Sequence, residues 1–121
     1  AWTVLDLPVA AGMAGSEWHG LLDWCDVVLL VTRPDAVALA HARARRDHIG
    51  RQMVAVGNTV GSKMEAAHLA GAIGVPAMFS VRTLRGTRGD LDHGVTPGDR
   101  KRSGAERDLR ALWEHVLEVT A

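Results

Sequence analysis

The sequence predicts a three-layer α/β domain with a mainly parallel sheet flanked by helices, and three observations carry the prediction. Four short runs rich in Val and Leu, at residues 2–6, 27–32, 53–58 and 77–82, lack polar alternation. Apolar runs of this length suit strands covered by helices on both faces. The segments between the later runs have helical period, as the crossovers of a parallel sheet require. Finally, the first run stops on Asp6, where an α/β protein aims an acid at a metal or phosphate, because ligands sit beyond the carboxyl ends of parallel strands.

Taken in order, the first run is Trp2-Thr3-Val4-Leu5-Asp6, with Pro8 fixing the turn behind it. The stretch from Val9 to Glu17 holds Gly12 and Gly15 and reads as a loop, and a short helix from Glu17 to Trp24 follows. Asp26 leads into the second strand, which ends Thr32-Arg33-Pro34. Pro34-Asp35 is a good helix start and Gly50 a good stop, with Val37, Ala40, Ala44 and His48 on the expected buried stripe. After the third strand, the Ala-rich segment from Ser62 to Ile73 places Ala66, Leu69, Ala70 and Ile73 on one face and stops at Gly74. Residues 83–104 turn to Gly, Arg, Asp and Pro and predict a long mobile loop beside the binding face. The last helix is the clearest, with Ser103 and Glu106 in a capping-box pattern and Leu109, Leu112, Trp113 and Val116 recurring at three and four.

The chain of 121 residues, 47% hydrophobic and 23% charged, reads as one α/β domain. Fourteen basic and fourteen acidic residues cancel, so no global charge points to nucleic acid or an anionic membrane. The one cysteine, Cys25, has no partner for an internal disulfide, which fits a reducing cytoplasm. The aliphatic run Val27 to Val31 is far too short to span a bilayer, and no signal-peptide pattern opens the chain. The start, without Met and inside a strand-like run, reads as that of a fragment or a processed chain, the C-terminal part of a larger domain.

Each chemical candidate has a plain structural alternative. Asp6 could hold magnesium through water or merely cap a strand. Asn58 has the paired donor and acceptor to read a purine edge, and is also ordinary turn chemistry before Thr59-Val60-Gly61. Gly57 to Lys63 lies between strand and helix like a phosphate loop. It has three residues between its glycines instead of four, and Ser62 precedes Lys63 where the signature has Lys first. His41 and His48 share a helix side but stand about 10 Å apart at 1.5 Å per residue, too far to share one ion. The other histidines have no ligand-spaced partner. The group Arg43, Arg45, Arg46 and Arg51 could touch phosphate or form a solvated helix face. The basic loop residues Arg82, Arg85, Arg88, Arg100, Lys101 and Arg102 pose the same choice between a nucleotide contact and solubility.

In order and spacing these segments resemble the C-terminal half of ParA/MinD-type P-loop ATPases, the deviant-Walker family that includes the CpaE/TadZ-like pilus-assembly proteins. The residues that carry the resemblance are Val4-Leu5-Asp6-Leu7-Pro8, Asp26 to Asp35 leading into Ala36 to Arg46, and Val54-Ala55-Val56-Gly57-Asn58. Leu69-Ala70, Ile73-Gly74-Val75-Pro76, Gly94-Val95-Thr96-Pro97 and the closing amphipathic helix continue it. The resemblance implies an incomplete P-loop fold and a cytoplasmic, nucleotide-dependent homodimer that positions DNA, pilus, division or secretion machinery. It makes Asp6 the Walker B acid, acting on Mg through water, and Asn58 an adenine contact. Thr32 to Asp35 would lie at the edge of the nucleotide and dimer face, with Arg82 near the nucleotide. The family's two-lysine phosphate loop is absent from these residues, so ATP and Mg are expected for a longer parent, and no hydrolysis by this chain alone. In the family the phosphate-loop strand separates the Walker B strand from the strand matching residues 27–32. Without it, residues 2–6 must pair with 27–32 directly, find a partner chain, or fray. Two other readings stand beside this one: a non-catalytic ParA-like docking scaffold, and a flavodoxin-like receiver with Asp6 as phosphoacceptor and Thr32 as its hydroxyl residue.

Overall fold

The computed structural model of the chain describes residues 1–8, 15, 17–49, 53–58, 63–82, 91–96 and 104–121, with backbone only at positions 19, 63 and 64. In chain order they form α1 (His19–Leu22), β1 (Val28–Thr32), α2 (Ala36–His48), β2 (Met53–Asn58), α3 (Lys63–Ile73), β3 (Met78–Val81) and α4 (Gly104–Thr120). The near-loop at residues 59–62, Ser103 and most of the expected 83–104 loop lie outside the described residues.

The three strands make one parallel sheet in the order β1-β2-β3. Its register sorts the side chains. Leu30 pairs with Ala55 and Ala55 with Met78, so these three share a face. Leu29 with Val54, and Val31 with Val56 and Phe79, share the other. Helices α2 and α3 cover the first face, where Leu30, Ala42, Ala55, Ala66, Leu69, Ala70, Ile73 and Met78 form one buried cluster. Helix α4 lies across the second face at β3, where the ring of His115 sits 4.8 Å from that of Phe79 and Val116 is buried. This is the three-layer arrangement that the apolar runs require.

Two expectations are corrected. Residues 2–6 are not a strand: residues 1–8 lie outside the sheet and Val4 is 87% exposed. The apolar run finds a helix surface instead, with the ring of Trp2 packed edge-on against Trp113 of α4 at 4.8 Å and 67°. Such an aromatic pair is worth about 0.5–1.5 kcal/mol beyond area burial, and it does not need the run to join a sheet. The stripe of α2 is also different. Val37, Ala40, Ala44 and His48 all face solvent, whereas Ala42 is buried and Leu39 packs against the core. The half-buried Ala38, Arg45 and Arg46 flank that line, because it is the side that meets β1 and α3.

Contacts with α3 account for part of the basic group on α2. Arg43 Nη1 donates to the Ala72 carbonyl at 3.4 Å, and the guanidinium of Arg46 lies over Gly74. Both cations thus stand at the carboxyl end of α3, where they complement the helix dipole. That end is closed by Gly74, whose φ of 85° is the left-handed conformation that favours glycine. The N–H groups of Gly74 and Val75 both donate to the Ala70 carbonyl, at 2.9 and 3.0 Å. Gly74→Ala is expected to cost about 1–2 kcal/mol in backbone strain. The new Cβ would also stand 3.2 Å from the Arg46 guanidinium and force it to shift. Thermal unfolding of the variant measures this, and an unchanged midpoint would contradict it.

Candidate functional site

The strand ends decide where a ligand could be read. Thr32 faces Gly57 across β1 and β2, and Asn58 faces Val81 across β2 and β3, with Arg82 next along the chain. Thr32, Asn58 and Arg82 therefore stand on three successive strand ends along one edge. Strand spacing of about 4.8 Å makes that edge about 10 Å wide. It is the carboxyl edge of the sheet, the usual ligand side of an open α/β domain.

Thr32 is 7% exposed, and its Oγ1 donates to the Arg33 carbonyl at 3.1 Å. The hydroxyl so shapes the turn out of β1. Arg33 follows, largely exposed, with its Nε 3.3 Å from an Asp35 carboxylate oxygen. Asp35 also starts the next helix. Its Oδ1 accepts from the Ala38 N–H at 2.9 Å, which makes it the N-cap of α2. The predicted helix start at Pro34-Asp35 is thus built as expected. Asn58 ends β2 exposed.

Arg82 is paired with Asp108 of α4. Its Nε and Nη2 donate to Oδ2 and Oδ1 of Asp108 at 2.8 and 3.2 Å, and its backbone N–H donates to Oδ2 at 3.0 Å. The fork ties the end of β3 to α4. Gly104 lies beneath it: a Cβ there would stand 2.7 Å from Arg82 Cδ. No local sequence pattern links Asp108 to Arg82, which lies 26 residues away. The hydrogen bond from Arg82 is the largest cause holding the Asp108 carboxyl below its ordinary value, with partial burial opposing. A carboxyl depressed in the folded state contributes stability above its unfolded value of about 3.8, and that contribution is lost as pH falls through the lower folded value. Asp108→Asn is expected to melt earlier at neutral pH and to lose less on acidification below about pH 4. Parallel acid-dependence curves for the two proteins would refute this.

Asp6 is exposed and carried by no strand, so the described structure does not align it with the other strand ends. Among the described residues no group of three or more His, Cys, Asp or Glu side chains is placed to hold a metal ion. His41, His48, His68 and His93 are exposed. The half-buried His115 packs on Phe79, with its Nδ1 3.9 Å from Glu118. Cys25 Sγ donates to the Leu21 carbonyl at 3.4 Å and behaves as a local structural residue. The described side chains along this edge are one amide, Asn58, a buried hydroxyl that already donates to the Arg33 carbonyl, and two arginines already paired with carboxylates. Among the described residues no helix is long and apolar enough to cross a membrane. Family models, curated proteins and solved structures give no match to this chain.

Proposed function

We propose that the chain is a ParA/MinD-like module, the C-terminal portion of a cytoplasmic ATPase whose nucleotide-dependent dimer states position a cellular cargo. Its own share is recognition and docking, with hydrolysis left to a phosphate loop supplied from elsewhere. The observation that carries this reading is the alignment of Thr32, Asn58 and Arg82 along the carboxyl edge of a parallel β1-β2-β3 sheet. In this reading the Asn58 amide meets a purine edge through its paired donor and acceptor. Thr32 shapes the turn that presents Arg33, and Arg82 bounds the site from β3. ATP brings the transferable phosphoryl group and magnesium balances its charge. Asp6, exposed and carried by no strand, is the residue this reading would assign to the magnesium.

Phosphoryl transfer depends on positioning and charge stabilisation around the β- and γ-phosphates. The described residues offer no cradle for them, so the 121-residue chain is expected to bind ATP with magnesium weakly and not to turn it over. Calorimetry and a phosphate-release assay test this directly. Micromolar affinity with turnover, lost on Lys63→Ala, would instead make the Gly57 to Lys63 segment the phosphate site.

The docking-scaffold reading also has a specific observation behind it. The Arg82–Asp108 fork supports it, because it gives Arg82 a structural task in joining β3 to α4. Nucleotide binding that is absent even when the missing phosphate loop is supplied in trans would favour the scaffold.

A further inference from the structure

We infer that the Arg82–Asp108 pair is an autoinhibitory latch, in which a carboxylate of α4 takes the place of a diphosphate ligand at the β3 end of the carboxyl edge. The inference rests on the reading of that edge as the ligand side, and goes beyond it in naming what keeps the site shut. Arg82 follows β3 directly, so its guanidinium stands on the side where open α/β sheets meet their ligands. It is already engaged as an anion would engage it. Two of its N–H groups meet the two oxygens of Asp108, at 2.8 and 3.2 Å, and the Arg82 backbone N–H adds a third donor at 3.0 Å. Carboxylate and phosphate are alternative partners of the same guanidinium fork. The three donors that hold Asp108 would therefore serve a phosphoryl group equally well.

Three features make the pair a latch that opens, where a fixed tie would not. The Arg82 side chain is 59% exposed and that of Asp108 16%, so solute reaches the guanidinium while the carboxylate stays under cover. Helix α4 is also held without the pair, by His115 packed on Phe79 and by the buried Val116. Opening the fork thus leaves the helix docked. Gly104, finally, sets the seat of the guanidinium. A Cβ there would stand 2.7 Å from Arg82 Cδ and nearer still to the guanidinium, so it is the missing side chain that lets Arg82 lie on α4 within reach of Asp108. A carboxylate tethered by the fold competes at high effective concentration. A diphosphate, with more charge than the single carboxylate and more oxygens to accept the three donors, is the class of ligand suited to displace it.

Calorimetry of pyrophosphate binding to the 121-residue chain is the test, with circular dichroism to verify that each variant is folded. The wild-type chain is expected to bind weakly, and Asp108→Asn at least tenfold more tightly. Removing a negative charge raises anion affinity in general, so the gain must vanish when Arg82→Gln is added to Asp108→Asn. Gly104→Ala leaves every charge in place and should also tighten binding, because it lifts Arg82 off Asp108. It decides the matter if Asp108→Asn does not fold. Variants that bind pyrophosphate no more tightly than wild type overturn the inference. So does a gain that survives the loss of Arg82, which would place the anion on other residues. Adenosine, a base and sugar without phosphate, separates the latch from the nucleotide reading. Pyrophosphate bound through Arg82 without any binding of adenosine keeps the latch and removes the nucleotide. Adenosine binding weakened by Asn58→Ala, with pyrophosphate affinity unmoved in every variant, keeps the nucleotide edge and removes the latch.

Discussion

Ile73→Ala is expected to destabilise the domain by about 2–5 kcal/mol, enough to lower its melting point by about 10 °C or more. Ile73 is fully buried at the last turn of α3, within the cluster that includes Leu30, Ala42, Ala55 and Met78. The size of the loss follows from its neighbours. Four of the eight residues in that cluster are alanines, whose methyl groups cannot swing into the space an isoleucine leaves. The cavity would persist, and a persisting cavity adds its own penalty to the lost transfer energy. Ile73→Val, which removes one methylene, should cost about 0.5–1.5 kcal/mol. Urea unfolding of the two variants decides the matter. A loss below about 1 kcal/mol for Ile73→Ala would mean that α3 closes onto the sheet and the site is more plastic than its burial indicates.

The same alanines show why α3 was legible in the sequence. Ala66, Leu69, Ala70 and Ile73 recur at three and four, Gly74 follows, and all four are buried with Gly74 closing the helix. In β2 the unbroken apolar run encoded a strand covered on both faces, because such a run has no reason to alternate; β1 has the same unbroken run yet is covered on one face only, with Leu29 and Val31 exposed. Residues 2–6 have the same local character and no strand results. A strand is completed only by a neighbour, and a run of five residues does not name its neighbour. In α2, alanines fill so many positions that several stripes are compatible with the pattern. The contact with β1 and α3 selects Leu39 and Ala42 over Val37, Ala40 and Ala44. At the candidate site, Thr32 and Asn58 could be found because they are strand ends. The tie between Arg82 and Asp108 could not, since it depends on how α4 meets β3 in space.

Exchanging Leu30 and Ala55 provides the sharper test of this packing. The two residues face each other in register on the helix-covered face, with exposures of 8% and 0%. Leu30→Ala alone should cost about 2–5 kcal/mol through the space it opens. Ala55→Leu alone should cost about 1–3 kcal/mol or more. It forces a branched side chain into the central strand between Leu30 and Met78, within a cluster that is already buried. The double variant keeps the total volume, and the new leucine at 55 can lean into the space vacated at 30. Its cost should fall short of the sum of the singles by about 1–3 kcal/mol, the coupling characteristic of residues in direct contact. Additive losses within about 0.5 kcal/mol would contradict this. They would mean that the helices over Ala55 leave a new side chain no route toward β1, and that close helix approach, rather than total volume, limits what the middle of this sheet can hold.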